Sequence, residues 1–154
     1  MRQVVDTNVL IAANGRDTHA SATLSLLSAR FLVALMDGAD ALLEDSTGHV
    51  FEEYKRYLEF SGQPGVGDQF FAWFVRTRWD SSRIERAELD PAKAISEYVP
   101  MSLRSFDPSD HKWIAVYLEG SADVIVNATD SDWEEARVEL DRHAILVRQL
   151  ADDI

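Results

Sequence analysis

The chain contains no cysteine, which removes disulfides, thiolate-bound zinc and cysteine nucleophiles together. Basic side chains are scarce: 15 Lys and Arg against 27 Asp and Glu leave a formal charge of −12. That balance argues against a general nucleic-acid coat, which holds phosphate through Lys and Arg. It does not argue against an enzyme acting on RNA or DNA, because carboxylates clustered around a bound cation inflate a negative count. No apolar run approaches the length of a membrane span, and the start of the chain lacks a basic leader pattern, so the expectation is a cytoplasmic protein without a membrane partner. No glycine-rich phosphate loop follows the first apolar run. The histidines (His19, His49, His111 and His143) include no pair at ligand spacing and read as surface or capping residues; His111 alone stands beside a candidate acid, Asp110.

What is present is a globular composition, 46% hydrophobic and 27% charged over 154 residues, enough for one domain with a core and too short for two. Gln3 to Asp6 reads as a buried strand, followed by a short helix through Val9, Leu10, Ile11 and Ala12 that stops at Asn14-Gly15. Leu24, Leu27, Phe31, Leu32 and Leu35 recur at helical intervals between Ala22 and Met36, after a cap from Thr18 or Ser21. Ala41-Leu42-Leu43 predicts a second strand, and Ser46 or Thr47 caps a helix through Val50, Phe51, Tyr54 and Leu58.

Ser61-Gly62-Gln63-Pro64-Gly65 marks a break before the aromatic stretch Phe70 to Val75, expected as a tightly packed helix. Those aromatics fit core packing or a homodimer contact equally. Ser81 to Leu89 fits neither helical nor strand period. The helix of Trp113 to Leu118 ends at Gly120, and a strand at Val124 to Val126, a helix through Trp133, Ala136, Val138 and Leu140, and a strand around Ile145 to Val147 complete the pattern. Alternating strands and helices imply a parallel sheet with helices on both faces.

Acids stand at the ends of these elements. Asp6 closes the first strand, where open α/β sheets keep their ligand crevice, although a plain helix N-cap is the competing reading. Glu53, three beyond Val50, lies nearer the buried side of its helix than Glu52 does. Asp110 shares a face with Trp113, Ile114 and Tyr117, whereas Asp107, before Pro108, reads as a helix-start residue. Asp130 and Asp132 follow the strand ending at Val126, one of them free to cap the Trp133 helix; spacing does not assign the roles. Carboxylates converging without Cys or clustered His suit hard ions, Mg2+ or Mn2+, that activate water against a phosphodiester. Phosphatase-type folds need a second acid where Asn8 stands, and a receiver domain needs adjacent acids ending the first strand, where Val5-Asp6-Thr7 offers one. Arg76, Arg78, Arg83 and Arg86 form the densest basic stretch, either a solvated face or a track for an RNA backbone, and an exposed Trp79 could stack a base.

With Val-Val-Asp6-Thr7-Asn8-Val-Leu-Ile, Gly48 to Tyr54, Asp110 ahead of Trp113-Ile114-Ala115, and Asn127-Ala-Thr129-Asp130-Ser-Asp132-Trp in that order, the chain resembles the PIN-domain family of metal-dependent nucleases nearly end to end. The resemblance implies a three-layer fold with a central, mostly parallel sheet. It implies an endoribonuclease whose Asp6, Glu53, Asp110 and one of Asp130 or Asp132 hold one or two Mg2+ or Mn2+ ions, with Thr7, Asn8 and Thr129 supporting them through hydrogen bonds. It further implies an RNA substrate and, for a toxin of this family, a cognate antitoxin protein. The reading from a different class is a catalytically inactive interaction or nucleic-acid-binding module.

Overall fold

The computed structural model describes residues 1–59 and 63–154, so Ser61 and Gly62 of the expected break lie outside the described residues. Five parallel strands form one sheet in the order β3-β2-β1-β4-β5: β1 Arg2–Val5, β2 Ala41–Asp45, β3 Ile84–Ala87, β4 Val124–Asn127 and β5 Val147–Gln149. The helices are α1 Thr7–Asn14, α2 Ala22–Asp37, α3 His49–Tyr57, α4 Val66–Thr77, α5 His111–Glu119, α6 Asp132–Glu135 and α7 Arg137–Arg142. Helices α1, α2 and α4 pack on one another, while α5 crosses β1 to β4, giving the expected three layers of an α/β fold. No helix among the described residues is long and apolar enough to cross a membrane.

Local chemistry accounts for most boundaries. Ser21 caps α2 by accepting from the Leu24 N–H, and Gly15, at φ 67°, ends α1. Gly67 lets α4 press against α1, because a Cβ there would lie 2.0 Å from the Leu10 carbonyl oxygen. The start of α3 departs from expectation. Neither Ser46 nor Thr47 caps it; the buried Asp45 does, accepting from the His49 and Val50 N–H groups at 3.0 and 2.9 Å across a turn whose Gly48 has φ 87°. Burial works to raise the Asp45 pKa, yet the Thr47 hydroxyl and those two N–H groups outweigh it and hold the carboxyl below its ordinary value.

The period around Ser81 to Leu89 is indecisive because β3 is only four residues long and lies at the sheet edge, with buried ends and the polar pair Glu85-Arg86 between them. Arg86 pairs in register with Glu44 on β2, a fully buried carboxylate. Glu44 also receives Nε and Nη2 of Arg78, at 3.1 and 2.8 Å, and Arg86 Nε reaches it at 3.0 Å. The helix expected through Trp133 to Leu140 is broken at Ala136 into α6 and α7, and Val138 faces solvent. The last strand begins two residues later than expected, since Ala144 takes a positive φ and Leu146 stays exposed. In α4, Phe70, Phe71 and Phe74 are buried, and Tyr54 meets Phe74 edge-on at 5.5 Å, so core packing accounts for these aromatics.

Candidate metal centre

Three of the expected acids meet at the carboxyl edge of the sheet. Carboxylate oxygens of Asp6, Asp110 and Asp130 lie within 4.8 Å of one another, and a second set, Asp107, Asp110 and Asp132, satisfies the same limit. Asp110 belongs to both. Their positions follow from where elements stop: Asp6 is the residue after β1 and the N-cap of α1, Asp110 the N-cap of α5, and Asp130 lies in the loop from β4 to α6. Asp6 thus caps α1 and also stands among the clustered acids. Its Oδ1 accepts from the Asn8 N–H at 3.2 Å and its Oδ2 from Trp133 Nε1–H at 3.0 Å.

One amide joins the two halves of the site. Asn8 donates through Nδ2 to Asn127 Oδ1 at 2.8 Å and accepts at Oδ1 from the N–H groups of Ala128 (2.8 Å) and Thr129 (3.3 Å). Asn127 in turn donates to the Asp130 carbonyl and accepts from the Asp130 N–H, so the loop carrying Asp130 is tied to the start of α1. Asp130 Oδ1 also accepts from the Asp132 N–H at 2.9 Å, an Asx turn that starts α6. Thr129 supports the loop through its backbone N–H while its side chain is exposed. Thr7 is buried with its hydroxyl unpartnered among the described residues.

Glu53 lies outside both acid sets. It is ion-paired with Lys112 Nζ at 3.4 Å and with Arg56 at 3.9 Å. The chain thus supplies Glu53 with cations of its own. Sequence reasoning missed three participants. Lys112, one residue after His111, carried no sequence signal; Trp133 was expected only as part of a helix; Asp107 read as a helix-start residue, which it also is, accepting from the Ser109 N–H. The only usable signal was the adjacency of Trp133 to Asp132. His111 is buried, and its Nε2 is bonded to the Phe106 carbonyl, a structural arrangement.

The electrostatics record the crowding. Burial, reinforced by the charge of Asp130, raises Asp6 to about 6 against the donors Trp133 and Asn8. Burial followed by the charges of Asp6, Asp130 and Asp107 raises Asp110 to about 8, with Lys112 pulling the other way. Asp130 likewise pushes Asp132 up. Between the ordinary carboxyl range near ~4 and these raised values, the folded chain keeps protons that the unfolded chain has lost. Stability without a cation therefore falls as pH rises through that window. Melting curves in a chelator should decline from about pH 5 to about pH 8.5; a flat or rising series would contradict this crowding.

The donor set fits a hard divalent cation: only carboxylate oxygens, with no Cys and no clustered His, and a surplus of negative charge that a cation would offset. The unsatisfied Thr7 hydroxyl, next in the chain to Asp6, is a further polar demand the protein alone leaves unmet. No family model, curated protein or solved structure matches this chain.

Proposed function

We propose that the chain is a divalent-metal-dependent endoribonuclease of the PIN type, using Mg2+ or Mn2+ and acting as the toxin of a toxin–antitoxin pair. The observation that carries the reading is the convergence of Asp6, Asp110 and Asp130, from three separate elements, at the carboxyl edge of a parallel sheet. A divalent ion bound there supplies Lewis-acid activation of water and shields the scissile phosphate. In this reading Asp6, Asp110 and Asp130 hold it, and Asp107 and Asp132 join Asp110 around a second position. Asn8 fixes the spacing of Asp6 and Asp130, and Trp133 fixes the rotation of the Asp6 carboxylate. Asp6 and Asp110 would hold such an ion only as carboxylates, so its affinity would rise with pH. One carboxylate of the set takes the proton of the attacking water. The toxin role and the antitoxin partner follow from the sequence resemblance.

A specific observation favours a second reading, an inert interaction module: the carboxylate of Glu53 is already neutralised by Lys112 and Arg56. One experiment separates the two. With Mn2+ at roughly a hundred times its Kd, an intact site adds about 2.7 kcal/mol, which raises Tm by roughly 5–10 °C for a chain of this size. Single-stranded RNA should be cut under the same conditions and left intact in chelator. No shift together with no cleavage would select the inert module.

A further inference from the structure

Trp79 is 85% exposed, whereas Trp113 and Trp133 are buried. It contributes little to the core, yet a guanidinium lies over it: Arg86, at 5.5 Å from the ring centroid. Arg86 is held there by the bond of its Nε to Glu44. Of the four arginines in this stretch, Arg83 has another task, closing the end of α2 through the Leu35 and Met36 carbonyls and covering Trp73. Arg76, one helical turn before Trp79, is exposed and has no ion pair among the described residues.

The cations continue beyond this corner. Arg78, the other partner of Glu44, covers the Phe51 ring at 4.5 Å, and Lys55 lies over the same ring at 5.9 Å. Next on α3 is Arg56, which shares Glu53 with Lys112. The Lys112 charge is felt at Asp6 and Asp110. A run of cations thus extends from the exposed indole toward the carboxylate cluster: Glu44 and the Phe51 ring join Arg86, Arg78 and Lys55, Glu53 joins Arg56 and Lys112, and Lys55 and Arg56 are neighbours on α3. The two acids inside it, Glu44 and Glu53, each face two cations, so the run keeps a positive excess; Glu52 on α3 and Asp80, next to Trp79, are exposed acids beside it. In a chain of net charge −12 such a concentration is directional.

We propose that this run is the path of a single-stranded RNA, with a base several nucleotides from the cut stacked on Trp79 beside Arg86; this rests on the ribonuclease reading above. Single strands present every base as a π-face, which an exposed indole with an adjacent guanidinium takes up without reading sequence, while phosphates follow the cations. A duplex keeps its base faces stacked internally and offers an indole none.

The test is the Kd of a labelled single-stranded RNA of about 12 nucleotides, measured by anisotropy with the Asp6→Asn chain, which leaves the RNA whole, and with Trp79→Ala or Trp79→Phe added. A stacked base contributes ~1–3 kcal/mol, so Trp79→Ala should weaken binding roughly 5- to 150-fold and Trp79→Phe much less. In the Asp6→Asn chain the same RNA should shield the exposed indole emission from iodide quenching. Equal Kd values for Trp79→Ala and its parent, with iodide access unchanged, would overturn the stacking site while leaving the nuclease reading intact. Absence of RNA binding by every variant would overturn both. Loss of affinity for a protein ligand in place of RNA would assign Trp79 to a protein interface and overturn the proposal.

Discussion

Replacing Asp110 by Asn is expected to abolish RNA cleavage, with a loss of at least about a thousandfold, beyond the ~10–100-fold typical of losing an outer partner of a metal ligand. Asp110 is the one carboxylate common to both acid sets, so its loss damages every arrangement of ions that the site could hold. The same change should remove the Mn2+-induced rise in Tm. It should also raise the Tm of the metal-free protein near pH 8 by several degrees, because an amide carries no charge to bury and ends the repulsion from Asp6, Asp130 and Asp107, the two effects that push Asp110 to about 8. A gain in metal-free stability accompanying a loss of activity is the pattern of a site built for a cation, and simple misfolding cannot produce it. Glu53→Gln, by contrast, should cost about tenfold or less if Glu53 serves to hold Lys112 and does not bind the ion directly. Undiminished cleavage or an undiminished Mn2+ shift in Asp110→Asn would remove Asp110 from the site.

Arg78→Ala is expected to be the most destabilising change outside the hydrophobic core. Glu44 is fully buried, and removing one partner of a buried ion pair costs about 3–5 kcal/mol, because the remaining charge is left without compensation. Arg86 still reaches Glu44, which places the expectation near the lower end, about 3 kcal/mol, or roughly 6–12 °C in Tm. Loss of the guanidinium from the faces of Phe51 and Phe74 adds to the damage. Arg86→Ala should cost less, since its side chain is 36% exposed against 25% for Arg78 and it offers one bond to Glu44 where Arg78 offers a fork. Arg78→Lys should rescue little, an ammonium being unable to reproduce the planar two-point contact. Denaturant unfolding of the three variants checks the order; a loss below about 1 kcal/mol for Arg78→Ala would mean that water reaches Glu44.

The strand–helix alternation was legible because buried parallel strands such as Val124 to Val126 are short apolar runs and α2 repeats its leucines with helical spacing. The inward placement of Asp110 was legible for the same reason, through its register with Trp113 and Tyr117. What stayed hidden depended on partners distant in the chain. β3 is polar in its middle because Arg86 answers Glu44 on the neighbouring strand, a pairing no local period reveals. Asp45 displaced Ser46 and Thr47 as the cap of α3 because the strand ran two residues further than its apolar run. The role of Trp133 as a donor to Asp6 is set by folding across most of the chain. Lys112 capturing Glu53 likewise joins two helices that no spacing rule relates.

The amide of Asn8 grips residues 119 to 121 positions away. During synthesis the strands β1, β2 and β3 can pair, and α1 to α4 can cover them, well before Asn127 to Trp133 have left the ribosome. A nascent polypeptide at that stage possesses Asp6 but neither Asp130 nor the loop that aligns it. The acid cluster is therefore completed only when the fourth strand and the loop after it join the first strand, whatever part of the sheet has already formed.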